Sequence, residues 1–482
     1  MPKKFEQKKN TMLSSPLLPI LRALPKDRMR ALEKFVRSPF HVTHAGVIQL
    51  FEFLKENLHV EDLSKDYVER SLLHKSENDP RRVYHLTNYL LETVEKFLAQ
   101  EDWENQEHLR NAATVESLRR LQLDEPATAM LRYARKRLDL DKLRGSEFHQ
   151  AEYRLHWEAY HLSLQQGRAK TSNAQELSDA QDVAFICDKL RTGCLLLSHQ
   201  KVTKQTYDKG LLDNVLTFIT GHRYLEIPAV AVYYHGYFAQ LGGEGSDEHF
   251  ARLKFLLQEH SPHFSVSETH DLFLMAINFC IRRINQQEAR FSREIFDLYQ
   301  SGLQHGALLE NGMLSRWTYN NITLTGLRLK EFEWVKNFLH QYGPLLPESH
   351  REGAVNFNLA RYHYETGALR TAMQHLLHIE YDDVLHNLAA KTMLCKIYYT
   401  LHEIDALENQ LDSIQIYLRR KKVLGYHREN YLSIVRFIRK LLTVNLNSAE
   451  ERKKMREEIT AAPAFTERDW LLGLLMVKPE KN

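Results

Sequence analysis

A repeat in the C-terminal half of the chain restricts its possible folds more than any other feature. Units aligned at residues 316, 353 and 388 are separated by steps of 37 and 35 residues. Each unit keeps the same apolar register through two segments. The equivalent positions are Ile322, Leu359 and Leu394, then Thr323, Ala360 and Cys395, then Phe332, Leu369 and Ile404, then Val335, Ala372 and Leu407. A period of this length predicts stacked helix–turn–helix units.

Helical spacing of apolar residues continues outside the repeat. Val47, Leu50, Phe51 and Leu54, for example, follow the 3, 4, 7 spacing of one buried helix face. Strand-type alternation is absent, so we expect an all-α chain of roughly twenty helices.

The same patterns predict five regions. Residues 1–11 form a mobile charged tail, and residues 12–142 form a helical N-terminal region. Residues 143–227 form long helices that lead into the repeats of 228–445. Residues 446–482 form capping helices.

The repeat resembles the tetratricopeptide repeat, in which a large residue precedes a small one in the first helix. Pro347 matches the proline at the end of such a unit. An aromatic residue expected early in the first helix is present as Tyr319, but Asn356 and Lys391 replace it in the other units. The resemblance implies a right-handed α-solenoid of helix pairs, with weaker pairs upstream at 228–260 and 267–304.

Several longer segments also resemble an uncharacterised family of bacterial, Bacteroidetes-type, helical-repeat proteins. These segments are FVRSPFH at 35–41, DKLRTGCLLLSHQKV at 188–202, LKEFEWVKNFL at 329–339 and RDWLLGLL at 468–475. The resemblance implies a helical-repeat fold and no particular activity.

Charge and cysteine content narrow the setting only slightly. The 65 basic and 62 acidic residues give a net charge of +3, which is too small to indicate a nucleic-acid or membrane partner. The four cysteines lie in apolar helical patterns without paired spacing, which favours buried thiols in a reducing compartment. We find neither a signal peptide nor an apolar run long enough to span a membrane, and we expect a cytoplasmic protein.

No catalytic or cofactor motif is present. The three glycines Gly242, Gly243 and Gly245 lie between two predicted helices rather than after a strand, so they predict a turn and not a dinucleotide site. A histidine- and aspartate-rich segment contains His375, His378, Asp382, Asp383 and His386, and histidines three residues apart on a helix can share a ligand face. No HExxH motif or cysteine partner accompanies them, so we interpret the segment as a solvated helix face. We therefore expect no enzyme activity, no metal and no cofactor.

The repeat geometry itself predicts a binding surface. First helices of tetratricopeptide-like units line a concave face, and their positions that do not pack inward contact ligands. In our register these positions are Asn320, Leu324, Arg328, Arg361, Tyr364, Lys396 and Tyr399. Arg361 and Lys396 are equivalent, and cations flanked by tyrosines suit an acidic segment or a chain-terminal carboxylate.

Two basic clusters offer a different function. Arg132, Arg135, Lys136 and Arg137 form the first, and Arg419, Arg420, Lys421 and Lys422 form the second. Both could neutralise phosphates of a nucleic acid, although the second lies where a helix end favours cations in any case.

The last predicted helix is apolar nearly all round, with Trp470, Leu471, Leu474 and Leu475. Such a helix must be covered, either by its own chain or by a partner, and the exposed end of the repeats favours its own chain. The sequence as a whole predicts a non-enzymatic protein-binding scaffold or adaptor, with a nucleic-acid-associated helical protein as the alternative.

Overall fold

The computed structural model describes residues 16–60, 63, 80–165, 172–203, 205–377, 384–420, 425–463 and 465–476. These residues contain 22 α-helices, several short 3₁₀ turns and one small hairpin, so the all-α prediction is confirmed for the described part of the chain. The chain divides into two compact units, which comprise residues 1–141 with 147–184 and residues 142–146 with 185–482.

The first unit consists of helices whose apolar faces were visible in the sequence. Val47, Leu50, Phe51 and Leu54 are all completely buried, as their spacing predicts. Its helices are α1 (Leu17–Ala23), α2 (Lys26–Val36), α3 (Ala45–Glu56), α4 (Pro80–Asn105), α5 (Glu107–Arg120), α6 (Asp124–Leu140) and, from residue 147 onward, α7 (Ser146–Gln165). Helix α8 (Ala174–Thr203) begins in the first unit and ends in the second.

The second unit contains the predicted repeats. Its remaining helices are α9 (Leu212–Thr220), α10 (Pro228–Leu241), α11 (Ser246–His260), α12 (Val266–Asn285), α13 (Phe291–Gln304), α14 (Arg316–Arg328), α15 (Phe332–Tyr342), α16 (Glu348–Glu365), α17 (Leu369–Leu377), α18 (Val384–Thr400), α19 (Ile404–Arg420), α20 (Gly425–Thr443), α21 (Ala449–Ala461) and α22 (Arg468–Leu474). Sequential helices pack in pairs: α10 with α11, α12 with α13, α14 with α15, α16 with α17, and α18 with α19.

The turns inside the last three pairs share one backbone conformation. Each pair is joined by three residues, and the middle one adopts a left-handed conformation, at Lys330 (φ 60°), Gly367 (φ 83°) and His402 (φ 58°). The third residue of each turn donates its backbone N–H to a carbonyl five residues earlier, as Glu331 does to Gly326 at 3.0 Å. This bond pattern ends a helix sharply and lets the second helix return along the first.

Small residues allow the paired helices to approach. Thr323, Ala360 and Cys395, which the register makes equivalent, are all fully buried. The second helices begin at the equivalent residues Phe332, Leu369 and Ile404. The first buried residue in each of these helices is Val335, Ala372 or Leu407, respectively.

One short hairpin departs from the expectation of a strand-free chain. Leu309–Glu310 pairs antiparallel with Met313–Leu314, and the two residues between them, Asn311 and Gly312, have φ values of 52° and 77°. Asn-Gly is a strong signal for a tight hairpin turn, because both central residues must be left-handed. The sequence pattern gave no sign of this hairpin because two-residue strands are too short to show alternation.

Candidate partner-binding surface

The seven residues predicted to bind a partner lie on the first helices of three consecutive pairs. Asn320, Leu324 and Arg328 are on α14, Arg361 and Tyr364 are on α16, and Lys396 and Tyr399 are on α18. The structure gives them three different environments. Asn320 is part of a buried polar link between helices. Tyr364, Lys396 and Tyr399 form an aromatic lysine site, and Leu324, Arg328 and Arg361 form an outer edge.

Asn320 belongs to the buried polar link. Its side chain is only 8% exposed, and its Oδ1 accepts a hydrogen bond of 2.5 Å from Nδ2 of the buried Asn358 on α16. Its own Nδ2 lies 2.9 Å from Nε2 of His386 on α18. Buried amides of this kind fix helices relative to one another because an unpaired polar group would be costly. Asn320 therefore joins three first helices rather than facing a ligand.

Lys396 is the centre of the aromatic site. Its side chain is 15% exposed, and its Nζ lies 2.7 Å from Oε2 of Glu467. The same ammonium lies 4.8 Å from the ring centroid of Tyr364 and 5.7 Å from that of Trp470. A largely buried ammonium needs a counter-charge, and ring faces add a favourable cation–π interaction.

Tyr399 completes this site through Trp470. The two rings meet edge to face, with centroids 5.8 Å apart. Burial raises the pKa of both Tyr364 and Tyr399 above the ordinary tyrosine value, so both remain neutral phenols at physiological pH. The structure thus brings Tyr364, Lys396 and Tyr399 together around two residues of the C-terminal segment.

The C-terminal segment, residues 465–476, is fastened to the end of the second unit. The Asn430 side chain donates to Oγ1 of Thr466 at 2.7 Å and accepts from the Thr466 backbone N–H at 2.6 Å. Arg468 donates to the carbonyl of Ile459 at 2.7 Å and to further carbonyls at the end of α21. Glu467 adopts a left-handed backbone conformation with φ of 65°, and this conformation begins α22.

Helix α22 covers its own chain. Leu471 and Leu475 are buried in the same apolar cluster as residues of α18, α19 and α20, and Trp470 packs against that cluster. The sequence left open whether this helix would cover its own chain or a partner. The structure places it on its own chain.

The outer edge comprises Leu324, Arg328 and Arg361. Leu324 is half-buried, and Arg328 is exposed in the last turn of α14. The Arg361 guanidinium lies over the ring of Phe357, one turn earlier on α16, at 4.3 Å. Arg361 and Lys396 are equivalent in the register, yet Lys396 contacts Tyr364 of the neighbouring helix, whereas Arg361 stacks within its own.

The two basic clusters belong to different units. Arg132 and Lys136 are exposed on α6 and Arg135 is half-buried, while Arg137 forms a two-bonded ion pair with Glu107 at 2.7 and 3.0 Å. Of the second cluster, Arg419 and Arg420 are exposed at the end of α19, and Lys421 and Lys422 lie outside the described residues.

Two features of these sites were missed in the sequence. Tyr133 interrupts the first basic cluster and is 51% exposed, which its position between Arg132 and Arg135 on one helix could have indicated. The contact between Lys396 and Glu467 joins residues 71 positions apart, and no local pattern announces it.

The histidine- and aspartate-rich segment lies only partly within the described residues. His375 bonds to Asn356 at 2.8 Å, whereas His378, Asp382 and Asp383 lie outside the described residues. Within the described ranges, no three His, Cys, Asp or Glu side chains converge in a way that would hold a metal ion. All four cysteines are buried and unbridged, and burial raises the pKa of the Cys395 thiol to about 12.

None of the described helices combines the length and apolar character required to cross a bilayer.

Comparisons with known proteins found no matching family model, no matching curated protein and no matching solved structure. The resemblance to bacterial helical-repeat proteins therefore stays a prediction from the sequence.

Proposed function

We propose that this chain is a non-enzymatic scaffold whose tetratricopeptide-like helix pairs bind an acidic, aromatic-containing segment of a partner protein. The observation that carries the proposal is the position of Lys396, whose Nζ lies 2.7 Å from the Glu467 carboxylate and 4.8 and 5.7 Å from the ring centroids of Tyr364 and Trp470. The C-terminal segment thus supplies the chemistry expected of the partner: one carboxylate and one large aromatic ring.

The physical basis is the unequal cost of leaving the site empty. Lys396 is largely buried while the C-terminal segment covers it, so any segment that covers it needs a carboxylate for its charge. A partner segment that offered a carboxylate and an aromatic side chain would restore both interactions. We propose that such a segment replaces Glu467 and Trp470, while Arg361 and Arg328 supply further cationic contacts along the first helices.

Binding in trans provides a direct test. In the full-length chain, the combined substitutions Glu467→Gln and Trp470→Ala remove the contacts of the native segment with Lys396 and Tyr399. A fluorescent peptide with the sequence of residues 463–476 should then bind, as measured by anisotropy. Binding to the unsubstituted chain should be at least about tenfold weaker, because its own segment occupies the site at high effective concentration.

Two further variants make this test specific. Adding Lys396→Glu to this doubly substituted chain should abolish peptide binding, because it places a second carboxylate against Glu467 of the peptide. Lys453→Glu, at an exposed position of α21, should leave binding unchanged. Circular dichroism would establish that each variant is folded. Peptide binding that survives Lys396→Glu would reject the proposed site.

A second candidate function, binding of single-stranded nucleic acid, has one observation in its favour. Exposed Tyr133 lies among the cations of α6, and an aromatic face beside Arg and Lys is the arrangement on which unpaired bases stack. Single-stranded DNA should then bind with a strong salt dependence, and Tyr133→Ala should weaken binding at every salt concentration. Absence of binding at low salt would eliminate this candidate.

A further inference from the structure

A groove separate from the Lys396 site lies between α13 and α15, each of which is the second helix of its pair. It has a volume of about 620 Å³, which is within the usual range for a ligand site. The first-helix surface that contains Lys396 contributes none of the residues that line it.

One wall is a ladder of three aromatic rings on α15. Trp334, Phe338 and Tyr342 are spaced four residues apart, and their rings stack in order with centroids 5.3 and 5.2 Å apart. Phe338 is buried and forms the base, while Trp334 and Tyr342 are half-buried and reach the groove. Rings stacked in this way cover part of one another's faces and present edges, which carry the positive end of the ring quadrupole.

The rest of the lining, on both helices, is rich in neutral amides. Gln300 and Gln304 are one turn apart on α13, and Asn337 and Gln341 are one turn apart on α15. Each amide group offers two N–H donors and one acceptor oxygen. Among the described residues that line the groove there is no Lys, Arg, Asp, Glu or His.

This lining suits an uncharged ligand, and its ring edges and N–H donors can meet hydrogen-bond acceptors on that ligand. A charged segment would lose water without meeting an opposite charge. A proline-rich segment fits, because proline has no N–H to satisfy and because the polyproline II helix leaves all its carbonyls without internal partners. Amide donors and ring edges both favour those carbonyl oxygens, and aromatic-lined grooves are a known mode of recognition for such helices.

The dimensions agree with this ligand. Trp334 and Tyr342 are eight residues apart, which separates them by about 12 Å along the helix. A polyproline II helix advances about 3.1 Å per residue, so about four of its residues span the two rings. Two prolines separated by two residues would fit within that distance. Oligosaccharides suit the site less well, since each of their hydroxyl groups adds a donor that needs an acceptor and since sugars stack on open ring faces.

From these observations we propose that the groove between α13 and α15 binds an uncharged proline-rich segment of another protein in the polyproline II conformation. The proposal goes beyond the acidic-segment site, because it concerns the opposite helix of each pair and a ligand of different chemistry. Either site can exist without the other.

Calorimetric titration of the full-length chain with capped decaproline tests the proposal. A Gly-Ser peptide of equal length is the matched negative ligand, and maltohexaose represents the glycan alternative. Decaproline should bind and the other two should not. Trp334→Ala should weaken decaproline binding about tenfold or more, as expected when an aromatic anchor of an interface is truncated.

Control variants separate binding from folding. Trp317→Ala removes a tryptophan that is 57% exposed and does not line the groove, so decaproline binding should stay unchanged. Should Trp334→Ala fail to fold, the exposed pair Gln304→Ala and Gln341→Ala carries the test, with an expected loss of several-fold. No decaproline binding by the unsubstituted chain, or binding insensitive to these groove variants, would overturn the proposal. Binding of maltohexaose in place of decaproline would overturn it as well.

Discussion

Glu467→Gln should loosen the C-terminal segment more than the reciprocal change Lys396→Met. Hydrogen bonds to charged groups contribute about 1.5–3 kcal/mol, and exposed ion pairs contribute about 0–1 kcal/mol. The Lys396 and Glu467 side chains are 15% and 27% exposed, which places this pair between the two classes. Glutamine also retains one acceptor oxygen. We therefore expect a cost of about 1.5 kcal/mol for Glu467→Gln.

Lys396→Met should cost less because of what each change leaves behind. Methionine is apolar and flexible, so it can fill the space between Tyr364 and Trp470. The remaining Glu467 carboxylate is accessible enough to be hydrated. Glu467→Gln, in contrast, leaves a largely buried ammonium without a counter-charge. We expect about 0.5 kcal/mol for Lys396→Met.

Hydrogen–deuterium exchange of residues 465–476 measures this difference locally. A cost of 1.5 kcal/mol corresponds to about tenfold faster exchange, because the segment opens more often. Glu458→Gln is the matched control, since Glu458 pairs with Lys440 on the same part of the fold but both side chains are about 40% exposed. Exchange of residues 465–476 should be unchanged in the Glu458→Gln variant. Equal effects of Glu467→Gln and Lys396→Met, or no effect of either, would refute the assignment of a buried cation.

Three other results should follow from the structure. Lys330→Gly should raise the free energy of unfolding by about 1 kcal/mol, because glycine adopts the left-handed turn without steric cost. Chemical denaturation measures this change, and a loss of stability would contradict the turn geometry. Gly326→Ala should destabilise by about 1–3 kcal/mol in the same assay, since its Cβ would lie 2.5 Å from Val335 Cγ2, whereas an unchanged midpoint would show that the helices can separate. Burial and the neighbouring His249 lower the pKa of His235 to about 4, so the folded state resists protonation. Stability should therefore fall as pH decreases from about 6.5 towards 4, by about 1–2 kcal/mol after allowance for solvent, and His235→Phe should remove that part of the pH dependence.

Local pattern explains most of the fold that could be predicted. The second helices begin at Phe332, Leu369 and Ile404 because apolar spacing and turn residues act over a few positions along the chain. The same short range explains the missed hairpin at residues 309–314, where two-residue strands give no periodic signal and only Asn311-Gly312 marks the turn.

The candidate site depended on contacts of longer range. The register placed Lys396 and Tyr399 on a first-helix surface, but it contained no information about Glu467 and Trp470, which come from a different part of the chain. It also could not distinguish Asn320, whose amide is used between helices, from Arg328, which is exposed. Position in a repeat predicts which face a residue is on, whereas tertiary packing decides what covers it.

The central claim is that the Lys396 site receives an acidic, aromatic segment of a partner protein. Affinity purification of the full-length chain at native abundance, compared with the combined Arg361→Ala and Lys396→Ala variant and with Lys453→Met, tests it most directly. We expect a partner that binds the unsubstituted and Lys453→Met chains, is lost from the combined variant, and crosslinks to α18 through a segment that contains both acidic and aromatic residues. Equal recovery of every partner by all three folded chains would contradict the claim.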